Sequence, residues 1–185
     1  MKQIWWPICA LFMLGIMASL IAAQRRERDP LTEKEVDEMR EAADYPNKRL
    51  ELLVSFAKAR ISTIDQLRAD PNAAATRPKQ IHELLQDFIV LLDETDDNID
   101  MYASHKSDMR KGLKLLIEAD SEWQMKLRQL KEQPSSDELA QYSFVLANAI
   151  DTVAGSAQNA RETLQEQNKL AQEKQLNKDY SERKD

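Results

Sequence analysis

Between Ile81 and Leu130 the apolar residues recur in alternating steps of four and three: Ile81, Leu85, Phe88, Leu92, Thr95, Ile99 and Tyr102, then through Lys106 to Met109, Leu113, Leu116, Asp120, Trp123, Leu127 and Leu130. A strand repeats every two residues, so this spacing admits only helix, with one buried stripe per heptad. Thr95 aside, Lys106 and Asp120 are its polar interruptions. Taken as one helix, residues 79–132 would be about 80 Å long at 1.5 Å per residue. The polar run 103–108 and Gly112 offer a place to fold back, and Leu84, Ile89, Val90, Leu91, Leu115 and Ile117 widen the stripe beyond a two-stranded seam. The spacing therefore predicts one helix to about residue 104 and another from about 107. Heptads alone leave open whether the stripe is buried within one chain or between two.

Flanking segments follow the same period. Thr32-Glu33-Lys34-Glu35 has the form of a capping box and opens a short helix to about Ala43; Pro46 suits the first turn of the next, over 47–69, with Leu50, Leu53, Ala57, Ile61, Ile64 and Leu67 on one face. Asp70-Pro71-Asn72 stops it, and 70–77 reads as a loop. A second capping box, Ser135 to Glu138, starts a helix carrying Leu139, Tyr142, Leu146, Ala149, Val153, Ala157, Ala160 and Leu164, with Ala154-Gly155-Ser156-Ala157 small enough for a close neighbour. The expected fold is all-α: an antiparallel bundle of about four long helices plus a short N-terminal one, over residues 31–171. The Gln-, Lys- and Glu-rich stretch 172–185 is expected to be a frayed or disordered tail. Three glycines and 6% aromatic residues speak against strand-rich alternatives.

Residues 1–23 contain a single charge, Lys2, followed by an apolar run that ends in Ala22-Ala23. This is the order of a secretory signal peptide, although Ile21 is large for the −3 position of a cut after Ala23. An uncleaved N-terminal anchor competes, because residues 4–23 are long enough to span a bilayer and Trp5 and Trp6 would suit its interface. Arg25, Arg26 and Arg28 at the start of the tether 24–30 oppose translocation and could hold the body inside. Export is the preferred reading. Cys9, the single cysteine, lies in this segment, so the body has no disulfides; an exported domain of that kind fits a bacterial periplasm or envelope.

Function is less legible. The body carries 25 basic against 32 acidic side chains, a net −7, which gives no footprint for nucleic acid. His82-Glu83 begins a zinc-protease pattern but meets Gln86 where the second histidine belongs, and neither Lys79 nor Tyr102, three residues before the two histidines, is the carboxylate a di-iron bundle needs. Asp96, Asn98 and Asp100 imitate the first ligands of an EF-hand, yet Met101 replaces its glycine and Ser107 its final glutamate. On a helix, Asp93, Asp96, Asp97 and Asp100 form an acidic face able to hold a cation weakly or dock a basic partner. His105, Met109 and Asp120 are the candidates for a ligand or cofactor site inside the bundle. The expectation is an exported protein of the cell envelope that is not an enzyme, has no cofactor or firm metal site, and acts through a protein partner or self-association; the alternatives are a small-ligand or cofactor-binding bundle and a membrane-tethered sensor or assembly factor. Membrane contact is confined to residues 4–23, if they are retained.

Overall fold

The computed structural model describes residues 29–132 and 135–182; the expected signal or anchor segment and most of the tether lie outside them. Among the described residues the chain is wholly helical. In order, the elements are α1 (Glu33–Glu41), α2 (Pro46–Ala69), a 3-10 turn (Pro71–Ala73), α3 (Arg77–Ser104), α4 (Arg110–Glu132), α5 (Ser136–Ala140) and α6 (Ser143–Glu182).

The stripe explains the core. Every register position from Ile81 to Leu130 is buried except Lys106, including Thr95, whose hydroxyl donates to the Leu91 carbonyl, and Asp120. The exception marks the fold-back. Lys106 has φ 57°, its N–H bonds the Ala103 carbonyl, and the Ser107 N–H bonds the Tyr102 carbonyl. This is a Schellman ending with lysine in the left-handed position that glycine usually takes.

Four long helices enclose the core. α2 packs against α3 and α4, and α6 packs against the same two, so α3 and α4 face each other across the diagonal. Phe88 and Trp123 meet there edge to face, with ring centroids 5.3 Å apart. Successive long helices reverse direction, as an antiparallel bundle requires. Side by side, however, α2 runs parallel to α4, as the Asn47–Gly112 and Asp65–Lys126 contacts require. α3 runs parallel to α6 through Asp96–Asn159 and Ser107–Gln167. The chain is thus antiparallel from one long helix to the next, while two of the four flanking pairs run parallel because the α3–α4 link crosses a diagonal.

Two amide side chains hold that link. Asn47 donates to the Asp108 carbonyl (2.7 Å) and accepts from the Gly112 N–H (2.9 Å). Gln167 donates to the Ser107 carbonyl (2.9 Å) and accepts from the Met109 N–H (3.0 Å). At the N-terminus the capping box is complete, and Glu35 extends it: both its oxygens receive the Arg60 guanidinium, at 2.6 and 2.7 Å, while Arg60 also donates to the Pro30 carbonyl. One carboxylate thereby caps α1 and clasps it to α2.

Two boundaries differ from the sequence expectation. The helix predicted from Ser135 is broken at Gln141 and Tyr142, where short i→i−3 bonds turn the chain and Tyr142 is buried. Ser135 accepts from the Glu138 N–H as expected, but Glu138 reaches Arg77 at 3.8 Å. At the other end, the polar stretch expected to fray is helical as far as Glu182.

Candidate functional site

Asp120 is fully buried in α4, and neither of its oxygens has a hydrogen-bond partner among the described residues. The same holds for the indole N–H of Trp123, one turn further along. A buried polar group without a partner costs about 1–3 kcal/mol, and an isolated charge far more, so this point is anomalous in an otherwise apolar stripe. Burial pushes the Asp120 carboxyl up to about 7; Arg161 of α6 opposes the shift and the charge of Asp96 adds to it.

The helical register brings these groups to one level. Gln167 bonds both Ser107 and Met109. About three turns back along α6 and α3 lie Ser156 and Asp96, and about three turns forward along α4 lies Asp120. Ser156, itself fully buried, donates to Asp96 Oδ1 at 3.2 Å, and the Asn159 amide donates to the same oxygen at 3.2 Å. Asp96 is half-buried and its carboxyl is raised, chiefly by burial, with Asp100 and Asp93 adding repulsion and the two hydrogen bonds opposing. At this level α3 and α4 thus each carry a carboxyl group, of which Asp96 alone is bonded to the polar patch of α6.

Sequence candidates fare unevenly against this geometry. His105 is exposed as the C-cap residue of α3, Met109 is buried just before α4, and Asp120 lies about three turns away from Met109. The proposed His105–Met109–Asp120 constellation is therefore not brought together, because the fold-back turns His105 out to solvent. The acidic face also divides: Asp93, Asp97 and Asp100 are exposed, whereas Asp96 turns toward α6. Among the described residues no group of three or more His, Cys, Asp or Glu side chains is placed to hold a metal ion. Asp120 was visible in the sequence as a polar break in the stripe; Ser156 was visible only as a small residue, and its pairing with Asp96 carried no local signal.

Two open grooves flank the core. One, of about 330 Å³, lies between α4 and α6 at Ile117, Arg161, Leu164 and Lys169. The other, of about 490 Å³, lies under α1 and is lined by Met39, Val90 and Leu91 around Arg49 and Glu94. Arg49 fills its polar end by donating to Asn98, Glu94 and the Met39 carbonyl. No helix among the described residues is long and apolar enough to cross a membrane. Comparison with family models, curated proteins and solved structures returned no match to this chain.

Proposed function

We propose that this chain is an exported, non-catalytic helical bundle with a structural or protein-interaction role in the cell envelope. The observation that carries the reading is the length of α6. Gln167 ties α6 to the turn between α3 and α4, and the helix continues for 15 more residues to Glu182, about 22 Å beyond that turn. Leu170, Leu176 and Tyr180 are exposed along it, Leu176 at 67%. A helix that is polar on nearly all sides gains little from packing on its own bundle, and such a projecting arm is suited to span toward a partner. The exposed carboxylates of Asp93, Asp97 and Asp100 give the outer face of α3 a second contact surface, selective for basic groups.

Support for export is the uncharged N-terminal stretch and a body free of cysteine. Support for a binding rather than catalytic role is a core filled by packed aliphatic and aromatic side chains among the described residues. The test is photo-crosslinking in the native host with a reactive residue in place of Leu176 and, as a control on another exposed surface, in place of Ser62. Discrete adducts from position 176 in the envelope fraction, and none from position 62, are the expected result. Recovery of the full-length protein in the cytosol, with equal labelling from both positions, overturns the reading.

A further inference from the structure

Asp120 is fully enclosed with no hydrogen-bond partner among the described residues, so its charged form there lacks the solvation that an ionised carboxylate needs, and the charge of Asp96 adds to that penalty. We propose that the enclosed carboxyl of Asp120 holds a proton in the folded bundle, and that this proton locks α4 onto the α3–α6 pair, so that the bundle tightens when Asp120 is protonated and loosens when it is not.

The assignment of roles follows from the donors. Asp96 already receives two hydrogen bonds at one oxygen, from Ser156 and Asn159, which favours its charged form. Asp120 receives none and is fully enclosed, so the proton resides on Asp120. Surroundings on every side agree. From α2, the buried face at this level is Ala57 and Ile61, while its charged side chains turn outward, Lys58 to Glu122 and Asp65 to Lys126. From α6, the nearest cation is Arg161, which is exposed and has a hydrophobic wall, Ile117 and Leu164, for company. From α3, Asp93 and Asp100 add negative charge behind Asp96. Arg161 offsets only part of the burial of Asp120, whose carboxyl stays raised.

The experiment is urea unfolding of the full-length chain, in detergent if needed, across pH 5.5 to 8, for the wild type, Asp120→Asn, Asp120→Leu and Asp96→Asn. For an enclosed acid titrating near 7, the unfolding equilibrium constant of the wild type rises about 30-fold over this range relative to Asp120→Asn. Any slope shared by wild type and variant belongs to other groups and is subtracted. Infrared difference spectra at pH 5.5 should show the carbonyl stretch of a protonated carboxylic acid, absent in Asp120→Asn. Asp96→Asn should keep that band but shift its loss to lower pH, because the charge that disfavours ionised Asp120 is gone; should Asp120→Asn fail to fold, Asp120→Leu supplies the comparison. Equal pH slopes in wild type and both Asp120 variants overturn the proposal. So does stabilisation by millimolar Ca²⁺ or Mg²⁺ that vanishes in Asp120→Asn, since the layer would then hold a metal ion instead of a proton.

Discussion

A methyl group at Gly112 would stand 2.8 Å from Leu50 Cβ, whereas one at Gly155 would meet no heavy atom within 4 Å. Both glycines lie in helices, where alanine is intrinsically better by about 1 kcal/mol. At Gly155 nothing opposes that gain, and Gly155→Ala should raise unfolding free energy by about 0.5–1 kcal/mol. At Gly112 the obstacle is a Cβ and not the mobile end of a side chain, so α2 and α4 must separate. Gly112→Ala is expected to cost about 1–3 kcal/mol net, and chemical denaturation of the two variants side by side reads the difference in sign. Sequence reading gave these glycines nearly opposite parts, with Gly112 as a possible fold-back point and Gly155 as a site of close approach. The left-handed residue of the turn is instead Lys106, and the buried small residues of α6 are Ser156, Ala157 and Ala160. Lys106→Gly, which removes the Cβ penalty at φ 57°, should stabilise by about 0.5–1 kcal/mol in the same assay.

Elements follow the periodicity closely where packing enforces it and depart from it where a single tertiary contact decides. The stripe placed α2, α3 and α4 because each buried position lies three or four residues from the next, and no rival structure buries that set. Both Schellman bonds of the α3 ending are backbone bonds, so no residue announces them, and the lysine there is a poor advertisement for a left-handed turn. The break between α5 and α6 is similarly silent, since Tyr142 satisfies the helical stripe on paper and is buried in fact by a turn. Asp120 could be flagged from its position alone, but its layer could not, because Asp96 and Ser156 meet across 60 residues of sequence. Residues past Gln172 illustrate the limit from the other side: composition suggested a frayed tail, and the helical arm there makes few tertiary contacts to have been read. Truncation after Gln172 should therefore change unfolding free energy by no more than about 0.5 kcal/mol. Gln167→Ala, which leaves the Met109 N–H and the Ser107 carbonyl without their partner, should cost about 1–3 kcal/mol, and thermal melts of the two variants separate an arm from a clasp.

The molecule as a whole combines two acid groups whose pH dependences run in opposite directions. Glu35 is held below its ordinary value chiefly by the Arg60 hydrogen bonds, so its contribution is complete above the unfolded carboxylate range and is lost as pH falls below about 4.5. Asp120 is raised to about 7 by burial, so the folded state binds its proton more tightly than the unfolded state does. Its effect is therefore most favourable below the unfolded value of 3.8, erodes as pH climbs from there to about 7, and levels off above. The two contributions therefore oppose each other between about 3.8 and 4.5, and above that interval the Asp120 limb alone lowers stability as pH rises. Each substitution should move one flank alone. Glu35→Gln lowers stability by about 1–2 kcal/mol at pH 6 and reduces the acid limb, because the amide still caps α1 but cannot form the charged, two-oxygen clasp with Arg60 of α2. Asp120→Leu flattens the alkaline limb and raises stability at pH 8 by about 2–4 kcal/mol, since an apolar side chain replaces a charge that the core cannot solvate. Thermal melts from pH 3.5 to 8.5 of the wild type, each variant and the double variant decide it. Independent limbs require the two effects to add, as sites on opposite sides of the bundle without shared partners should; a double variant whose alkaline limb returns would show that the α1 clasp and the buried carboxyl layer are coupled through α2.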